Sequence, residues 1–292
     1  MNAHPALSGI ALRLVAVFLI TAMSAVVHEV GARAALGQII FWRSSVALIP
    51  ILGYMALRSE LPKGLQTKHP RLHLTRGLFG AASMAFSFVS LIYLPVANAQ
   101  ALAYLAPVLT LPLAALHLRE PLRPQTVLAV ALGFGGALMM LWHALDGGQN
   151  ALIGVAAGIA YALTMAVVRV HIKAMTRTES AATIALYFAL ICSGIGLATL
   201  PLGWPALSGT DLTLLAIAGL LGGLAHIAST EAVARAPVST VAPFDFTGLI
   251  WALGIDALLF RIMPTPLALA GMGVILLAGL IVIRQEMRPA KP

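Results

Sequence analysis

Three long stretches of this chain carry almost no charged side chains, and they set the class of fold. Residues 77–118 contain no Asp, Glu, Lys or Arg, residues 124–168 contain only Asp146, and residues 181–230 contain only Asp211. A helix needs about 20 apolar residues to cross a bilayer, so each stretch is long enough for two crossings. Only 10% of all residues are charged, which is too few to cover a soluble domain. The chain is therefore predicted to lie in a membrane.

Breaks in the apolar pattern divide the chain into ten predicted helices, which would form an all-α membrane bundle. Charged residues, prolines and glycines mark the breaks, and membrane helices tolerate those prolines and glycines that remain inside them. The predicted helices cover residues 9–30, 36–57, 72–94, 96–118, 123–143, 151–173, 180–200, 211–234, 237–260 and 265–284. The first apolar run has no cationic cluster before it and is followed by many similar runs, so we interpret it as a retained span.

A short motif occurs twice and predicts an internal repeat. Leu-Pro-Val-Ala-Asn-Ala at residues 94–99 recurs as Ala-Pro-Val-Ser-Thr-Val at residues 236–241. The repeat divides the chain into residues 1–147 and 148–292, with five predicted helices in each half. Because five is an odd number, the second half would enter the membrane in the opposite direction and form an inverted repeat. Proteins built in this way commonly place a solute site between the halves, near the middle of the membrane.

The basic residues predict how the bundle is oriented. When both termini are placed in the cytoplasm, only Arg33, Arg43 and Arg261 fall on the outer side, and all other lysines and arginines fall on the inner side. This bias predicts cytoplasmic termini. The basic residues lie at helix ends without interleaved aromatic residues, so no nucleic-acid site is predicted. The single Cys192 and the lack of Cys/His ligand spacing predict neither a disulfide nor a metal site.

Ionisable residues at predicted membrane depth are candidates for function, because such a group normally faces a partner or a water-filled cavity. His226 and Asp245 lie about equally far from the turn between predicted helices 8 and 9. They would therefore reach a similar depth and could pair inside the bundle. Such a pair fits either a polar element of a translocation path or a structural hydrogen bond between neighbouring helices.

The other ionisable residues favour structural interpretations. Arg43 would snorkel outward or donate hydrogen bonds to carbonyl groups within the bundle. Glu231 would reach the inner interface or pair with Arg235, four residues further along the helix. Asp256 and Arg33 lie near the predicted outer ends of their helices, where they are expected to reach water.

Polar and aromatic residues near the middle of predicted helices 3, 4 and 6 complete the candidate site. Gln100 and Tyr104 share a helix face, and Pro107 and Pro112 after them would allow a bend. For Phe86, ordinary apolar packing is the competing interpretation. The predicted substrate-binding residues are Ser83, Phe86, Gln100, Tyr104, Tyr161, Thr164, His226 and Asp245.

The repeated motif, together with Phe-Trp-Arg at residues 41–43 and Arg-Glu-Pro at residues 119–121, resembles the EamA-type drug/metabolite transporters. The resemblance covers nearly the whole chain. It implies ten spans in two inverted five-helix repeats, and a secondary transporter that works by alternating access in a bacterial inner membrane. Among the branches of this family the chain looks most like the aromatic amino acid exporters, which implies export of aromatic and other hydrophobic amino acids. The alternative is an importer of a larger nucleoside-like or cofactor-like metabolite in the same superfamily.

Other classes of function lack their sequence signatures. There is no P-loop for ATP hydrolysis, and neither a GxSG nor an HExxH motif. Asp245 and Asp256 would lie about 16 Å apart on one helix, too far to act as a catalytic pair. No Lys cluster or Arg pair is predicted at the centre, which argues against a phosphorylated substrate and favours neutral or zwitterionic solutes. The expected protein is a monomer or weak dimer without a cofactor, and no enzyme.

Overall fold

The computed structural model of the protein is a bundle of α-helices. It describes residues 3–67, 69–106, 108–109, 124–146, 149–175, 178–236 and 242–286. Ten α-helices and short 3₁₀ turns occur in this part of the chain, which contains no β-strand. The helices are α1 (Ala3–Gly31), α2 (Leu36–Leu57), α3 (Pro70–Tyr93), α4 (Val96–Ala103), α5 (Pro124–Asp146), α6 (Gln149–Met175), α7 (Ala181–Ala198), α8 (Gly209–Arg235), α9 (Thr247–Leu258) and α10 (Pro266–Glu286).

Six helical segments in the described part of the chain are long and apolar enough to cross a membrane. They are Leu7–Gly31, Leu36–Leu57, Pro70–Tyr93, Asn150–Val168, Ala181–Leu202 and Gly209–Ala232. At 1.5 Å per residue, segments of this size span about 28–38 Å, which matches a hydrocarbon core of about 30 Å. Two shorter apolar segments, Val127–Gly136 and Pro266–Ile281, lie in α5 and α10. The prediction of an all-helical membrane protein is confirmed at this level.

The largest departure from the predicted helices is at the ninth. The sequence predicts a helix over residues 237–260, whereas α9 begins at Thr247 and follows a 3₁₀ turn at Ala242–Phe246. Pro243 lies in this turn. A proline removes one backbone donor and disfavours α-helical geometry at the residue before it, so a continuous helix is not formed here. Asp245 therefore lies in a turn before α9 and not inside a long helix.

Helix α4 is described only at its beginning. The sequence predicts a helix over residues 96–118, and the structure has α4 at Val96–Ala103. Pro107 and Pro112, the Arg-Glu-Pro motif at residues 119–121, and the second copy of the repeated motif after Ala236 lie outside the described residues.

The helices of one half pack mainly against helices of the other half. α1 runs along α8, α3 along α6, α2 along α7, and α5 along α10. α4 and α9 also contact each other. Side chains from both halves share one hydrophobic core, in which Leu102, Leu215 and Ile275 are wholly buried. The core thus ties the two halves together along the length of the bundle.

Small residues allow the closest helix contacts. Gly219 and Gly223 of α8 face α2, and a Cβ atom added at Gly219 would lie 2.6 Å from the Cβ of Val46. Gly158 of α6 faces Leu102, where an added Cβ would lie 2.6 Å from a side-chain methyl group. Glycines spaced four residues apart permit such close approach of membrane helices.

Candidate substrate cavity

An internal cavity of about 390 Å³ lies between the two halves of the chain. Helices α1 to α4 of the first half and α6 to α8 of the second half contribute to its wall. Its volume falls in the range of about 300–1,000 Å³ that is usual for small-molecule sites. Its polar or charged lining residues are Ser24, Arg43, Arg76, Ser87, Gln100, Tyr161, His226 and Ser229.

Arg43 enters the cavity from α2. The residue is only 7% exposed, and its Nε has no hydrogen-bond partner among the described residues. The guanidinium group lies against Gly222 of α8, where an added Cβ atom would be 3.1 Å from both Nε and Nη2. The sequence predicts a structural arginine that reaches water or backbone carbonyl groups. The structure instead buries it in the wall of a solute-sized cavity.

Arg76 reaches the same cavity from α3. It is 6% exposed, and its Nε and Nη1 have no hydrogen-bond partner in the described part of the chain. The guanidinium carbon lies 4.2 Å from the centre of the Phe188 ring of α7, a cation-π contact. Arg76 follows Pro70, the first residue of α3, by six positions, so it is about 9 Å inside that helix.

No ion pair with a carboxylate neutralises either arginine among the described residues. The carboxylate side chains that the structure describes are all engaged elsewhere, namely Glu29, Glu60, Glu179, Asp211, Glu231, Asp245 and Asp256. A charged arginine at membrane depth costs about 2.5–3.5 kcal/mol on insertion scales, so two unpaired ones are unusual. The prediction that no Arg pair lies at the centre is wrong, because Arg43 and Arg76 both line the cavity.

Three of the predicted substrate-binding residues line this cavity. Gln100 enters from α4, Tyr161 from α6 and His226 from α8. The His226 ring also meets the ring of Phe188 edge to face, with the ring centres 6.3 Å apart. These residues come from both halves, so a solute in the cavity would contact both halves at once.

Three other predicted residues lie outside the cavity lining. Ser83 is wholly buried, and its hydroxyl group has no hydrogen-bond partner among the described residues. Phe86 is 37% exposed. The hydroxyl group of Thr164 donates to the carbonyl oxygens of Ala160 at 2.8 Å and Tyr161 at 3.0 Å in its own helix.

The sequence suggests a pair between Asp245 and His226. In the structure Asp245 pairs with Arg13 instead. The Arg13 guanidinium contacts both carboxylate oxygens of Asp245, with Nη2 donating to Oδ2 at 2.6 Å, and it also donates to the hydroxyl group of Ser229. The prediction assumed a helix through Asp245, whereas the 3₁₀ turn points this residue at α1. Tyr104 is also held here, since its hydroxyl group donates to the carbonyl oxygen of Asp245 at 2.6 Å.

We call the side of the bundle on which α1 begins and α8 ends the amino-terminal side. The Arg13–Asp245 pair lies towards it, as does a second group of charges around Glu231. Glu231 accepts from Tyr54, from Arg58 at 3.1 Å and from Arg235 at 2.8 Å. The predicted Glu231–Arg235 pair is therefore confirmed.

Asp256 joins the two halves on the opposite side. Its Oδ1 accepts from the backbone N–H of Val96 at 3.0 Å, and its Oδ2 accepts from the N–H of Ala97 at 2.7 Å. Pro95 precedes α4 and offers no side-chain cap, so the carboxylate from α9 satisfies these two free N–H groups. The expectation that Asp256 reaches water is wrong, since the residue is only 1% exposed.

Arg33, on the same side, does reach water. Its side chain is 45% exposed and pairs with Asp211 at 2.9 Å and with Glu29 at 3.2 Å. The hydrogen bond to Asp211 is the main cause that raises the pKa of Arg33 above its usual value.

The fold and the cavity define a helical membrane protein with an internal site of solute size, and comparison with known proteins agrees. The EamA-like transporter family matches residues 7–142. A riboflavin transporter of Rhizobium johnstonii is 30% identical over 254 residues, which cover 85% of this chain and 81% of that protein. The chain belongs to the EamA-like transporter family.

Two further relatives carry other names. An S-adenosylmethionine uptake transporter of Rickettsia felis is 27% identical and is matched over 84% of this chain and 81% of its own length. The pseudopaline exporter CntI of Pseudomonas aeruginosa is 26% identical, with 94% of this chain and 95% of that protein covered. None of these relatives is named for aromatic amino acid export, so the comparisons do not support that part of the resemblance.

A solved crystal structure shares the fold. It superimposes with a TM-score of 0.68 over 99% of this chain and 100% of its own chain. The sequence identity between the two is 19%, so the likeness extends to the fold alone.

Proposed function

We propose that the protein is a secondary transporter that carries small amphipathic metabolites across a bacterial inner membrane by alternating access. The observation that carries the proposal is the cavity of about 390 Å³ that both halves line together. A solute bound there would contact both halves, so movement of one half against the other would expose it to either side in turn. Membership of a transporter family supports this class of function.

The proposed machine consists of two inverted five-helix repeats, residues 1–147 and 148–292. The packing of the helices supports this arrangement, because it keeps its pattern when the halves are exchanged. The contact of α1 with α8 then becomes that of α6 with α3, while α2–α7, α4–α9 and α5–α10 are exchanged with themselves. A pseudo-two-fold axis in the membrane plane relates the halves of inverted-repeat transporters in this way.

Contacts between the halves at both ends of the bundle suit a two-sided gate. Arg13 of α1 holds Asp245 before α9 near the amino-terminal side, and Asp256 of α9 holds the start of α4 on the opposite side. In the proposed cycle one of these ties breaks when the cavity opens to its own side. The amino-terminal side, with both termini, would face the cytoplasm, as the distribution of basic residues predicts.

Two substrate classes fit the proposal. Aromatic and other hydrophobic amino acids are the class that the family resemblance implies, and a nucleoside-like or cofactor-like metabolite is the alternative. The names of the relatives, which include riboflavin and S-adenosylmethionine, favour the larger class. They include both uptake and export, so the direction must be measured.

Uptake into proteoliposomes tests the proposal. Purified protein is reconstituted, and uptake is measured for labelled tryptophan, phenylalanine, riboflavin, S-adenosylmethionine and adenosine, with protein-free liposomes as the control. A carrier gives uptake that saturates with concentration and that the unlabelled solute inhibits. Uptake that rises linearly without competition would indicate a channel, and no uptake of any member would contradict the proposed substrate classes.

A further inference from the structure

The charges of the cavity identify one part of its substrate. We infer that Arg43 and Arg76 together bind an anionic group, a carboxylate or a phosphate, on the transported solute. The inference rests on the proposed function and narrows it to one substrate class.

The first argument is that both guanidinium groups have unused donors. Arg43 and Arg76 are each more than nine-tenths buried, and the described residues offer no partner to the Nε of either one or to Nη1 of Arg76. Buried polar groups in folded proteins are nearly always hydrogen-bonded, so unpaired donors beside a cavity indicate a partner that enters the cavity. An anion satisfies the donors and the charges at once.

The second argument is that Arg76 is held in place without its donors being used. The guanidinium carbon lies over the Phe188 ring, 4.2 Å from its centre, and a Cβ atom added at Gly80 would lie 2.6 Å from that ring. This cation-π contact holds the guanidinium group without using any of its N–H donors. A planar guanidinium edge matches the two oxygens of a carboxylate or phosphate.

The third argument is the charge of the residues around the two arginines. Arg43, Arg76 and His226 line the same cavity, and no aspartate or glutamate is among the described residues that line it. Every carboxylate whose side chain the structure describes is engaged elsewhere. An anionic group on a bound solute would therefore supply the negative charge that this part of the cavity lacks.

The other residues that line the cavity indicate the chemistry of the rest of the solute. Met84, Phe88 and Met165 present apolar surface, and Tyr161 adds an aromatic ring. Methionine and aromatic side chains pack well against flat apolar bodies. The preferred substrate thus combines an apolar, planar body with one anionic group.

Matched pairs of probes test the inference by binding to the purified full-length protein in detergent. Indole-3-propionate is compared with indole-3-propionamide, and riboflavin 5′-phosphate with riboflavin, so that each pair differs in the anionic group. We expect the anion of at least one pair to bind about tenfold or more tightly than its neutral partner. The pair that shows the larger preference identifies the group as carboxylate or phosphate.

Variants assign the preference to the two arginines. Arg43→Gln and Arg76→Gln are each expected to remove most of the preference, whereas Arg76→Lys keeps part of it because it keeps the charge. Arg71→Gln, an exposed arginine on the same helix, is the control and should leave the preference unchanged. If a Gln variant does not fold, as judged by size-exclusion chromatography, Arg43→Lys or Arg76→Lys replaces it and is expected to lower the preference without removing it.

The inference is overturned if neither anion binds, or if the anion and its neutral partner bind equally in both pairs. It is also overturned if the preference for the anion survives in both Gln variants. Transport separates this failure from failure of the proposed function. Saturable uptake of a neutral solute that neither Gln variant alters would leave the transporter in place and reject the anionic substrate. If no solute shows saturable uptake, the proposed transport function is rejected. The binding measurements would still test whether Arg43 and Arg76 bind an anion.

Discussion

Replacement of Asp256 by asparagine is expected to weaken the tie between the two halves on the side opposite the amino-terminal side. Asp256 accepts two backbone N–H groups at the start of α4, at 3.0 and 2.7 Å. Asparagine has one carbonyl oxygen, so it can satisfy one of these donors and turns an NH₂ group towards the other. The helix start also loses the negative charge that favours its dipole.

The size of the effect follows from these two losses. A hydrogen bond to a charged group contributes about 1.5–3 kcal/mol, and a charge at a helix end about 0.3–1 kcal/mol. A neutral asparagine avoids part of the cost of burying a carboxylate, which offsets some of the loss. We therefore expect Asp256→Asn to lower the free energy of unfolding by about 1–3 kcal/mol, and Asp256→Ala to lower it further because it removes both acceptors.

Thermal unfolding of the purified protein in detergent measures this prediction. The apparent Tm of Asp256→Asn should fall by several degrees, and that of Asp256→Ala by more. Glu29→Gln is the matched control, because the Glu29 side chain is 49% exposed and its pair with Arg33 contributes little. If Asp256→Asn unfolds at the same temperature as the wild type, the capping role is refuted.

Three further predictions concern other contacts. Asp245→Asn should cost about 1–3 kcal/mol of stability, and its combination with Arg13→Gln should cost less than the sum of the two single variants in a double-mutant cycle; strict additivity would argue against the pair. Tyr161→Ala should raise the KM for the transported solute several-fold, whereas Phe86→Ala, outside the cavity lining, should leave it unchanged; equal effects would remove Tyr161 from the site. Gly223→Leu should separate α8 from α2 and lower stability by about 1–3 kcal/mol, measured by the apparent Tm, and a Tm equal to that of the wild type would contradict this close contact.

The long helices could be predicted from the sequence because a bilayer imposes their length and composition. Predicted spans over residues 36–57 and 211–234 agree closely with α2 and α8. The ninth helix could not be predicted in the same way, because the turn around Pro243 depends on how the backbone before it packs. The proposed His226–Asp245 pair failed with that helix.

The charged part of the candidate site was missed for a related reason. The sequence predicts Arg76 on the inner side, near the start of the predicted helix over residues 72–94, and its neighbours along the chain do not show where its side chain goes. α3 begins at Pro70, which carries Arg76 inside the helix, and the ring of Phe188 that holds it is more than a hundred residues away. One signal was present in the sequence, because Arg76 is the last charge before residues 77–118.

The contact of Asp256 with the start of α4 could not be predicted from the sequence either. Pro95 before α4 indicates that the helix start needs a cap, but the sequence gives no reason to choose a residue from the other half. Contacts across the halves depend on the packing of α4 against α9, which sequence periodicity does not contain.

Counterflow through reconstituted vesicles tests the central claim most directly. Vesicles are loaded with a high concentration of the best unlabelled solute of the uptake panel and diluted into a trace of the same labelled solute. If one cavity is exposed alternately to the two sides, the label will accumulate transiently above its equilibrium level and then leave. A monotonic rise to equilibrium without an overshoot would contradict a carrier with an alternating site.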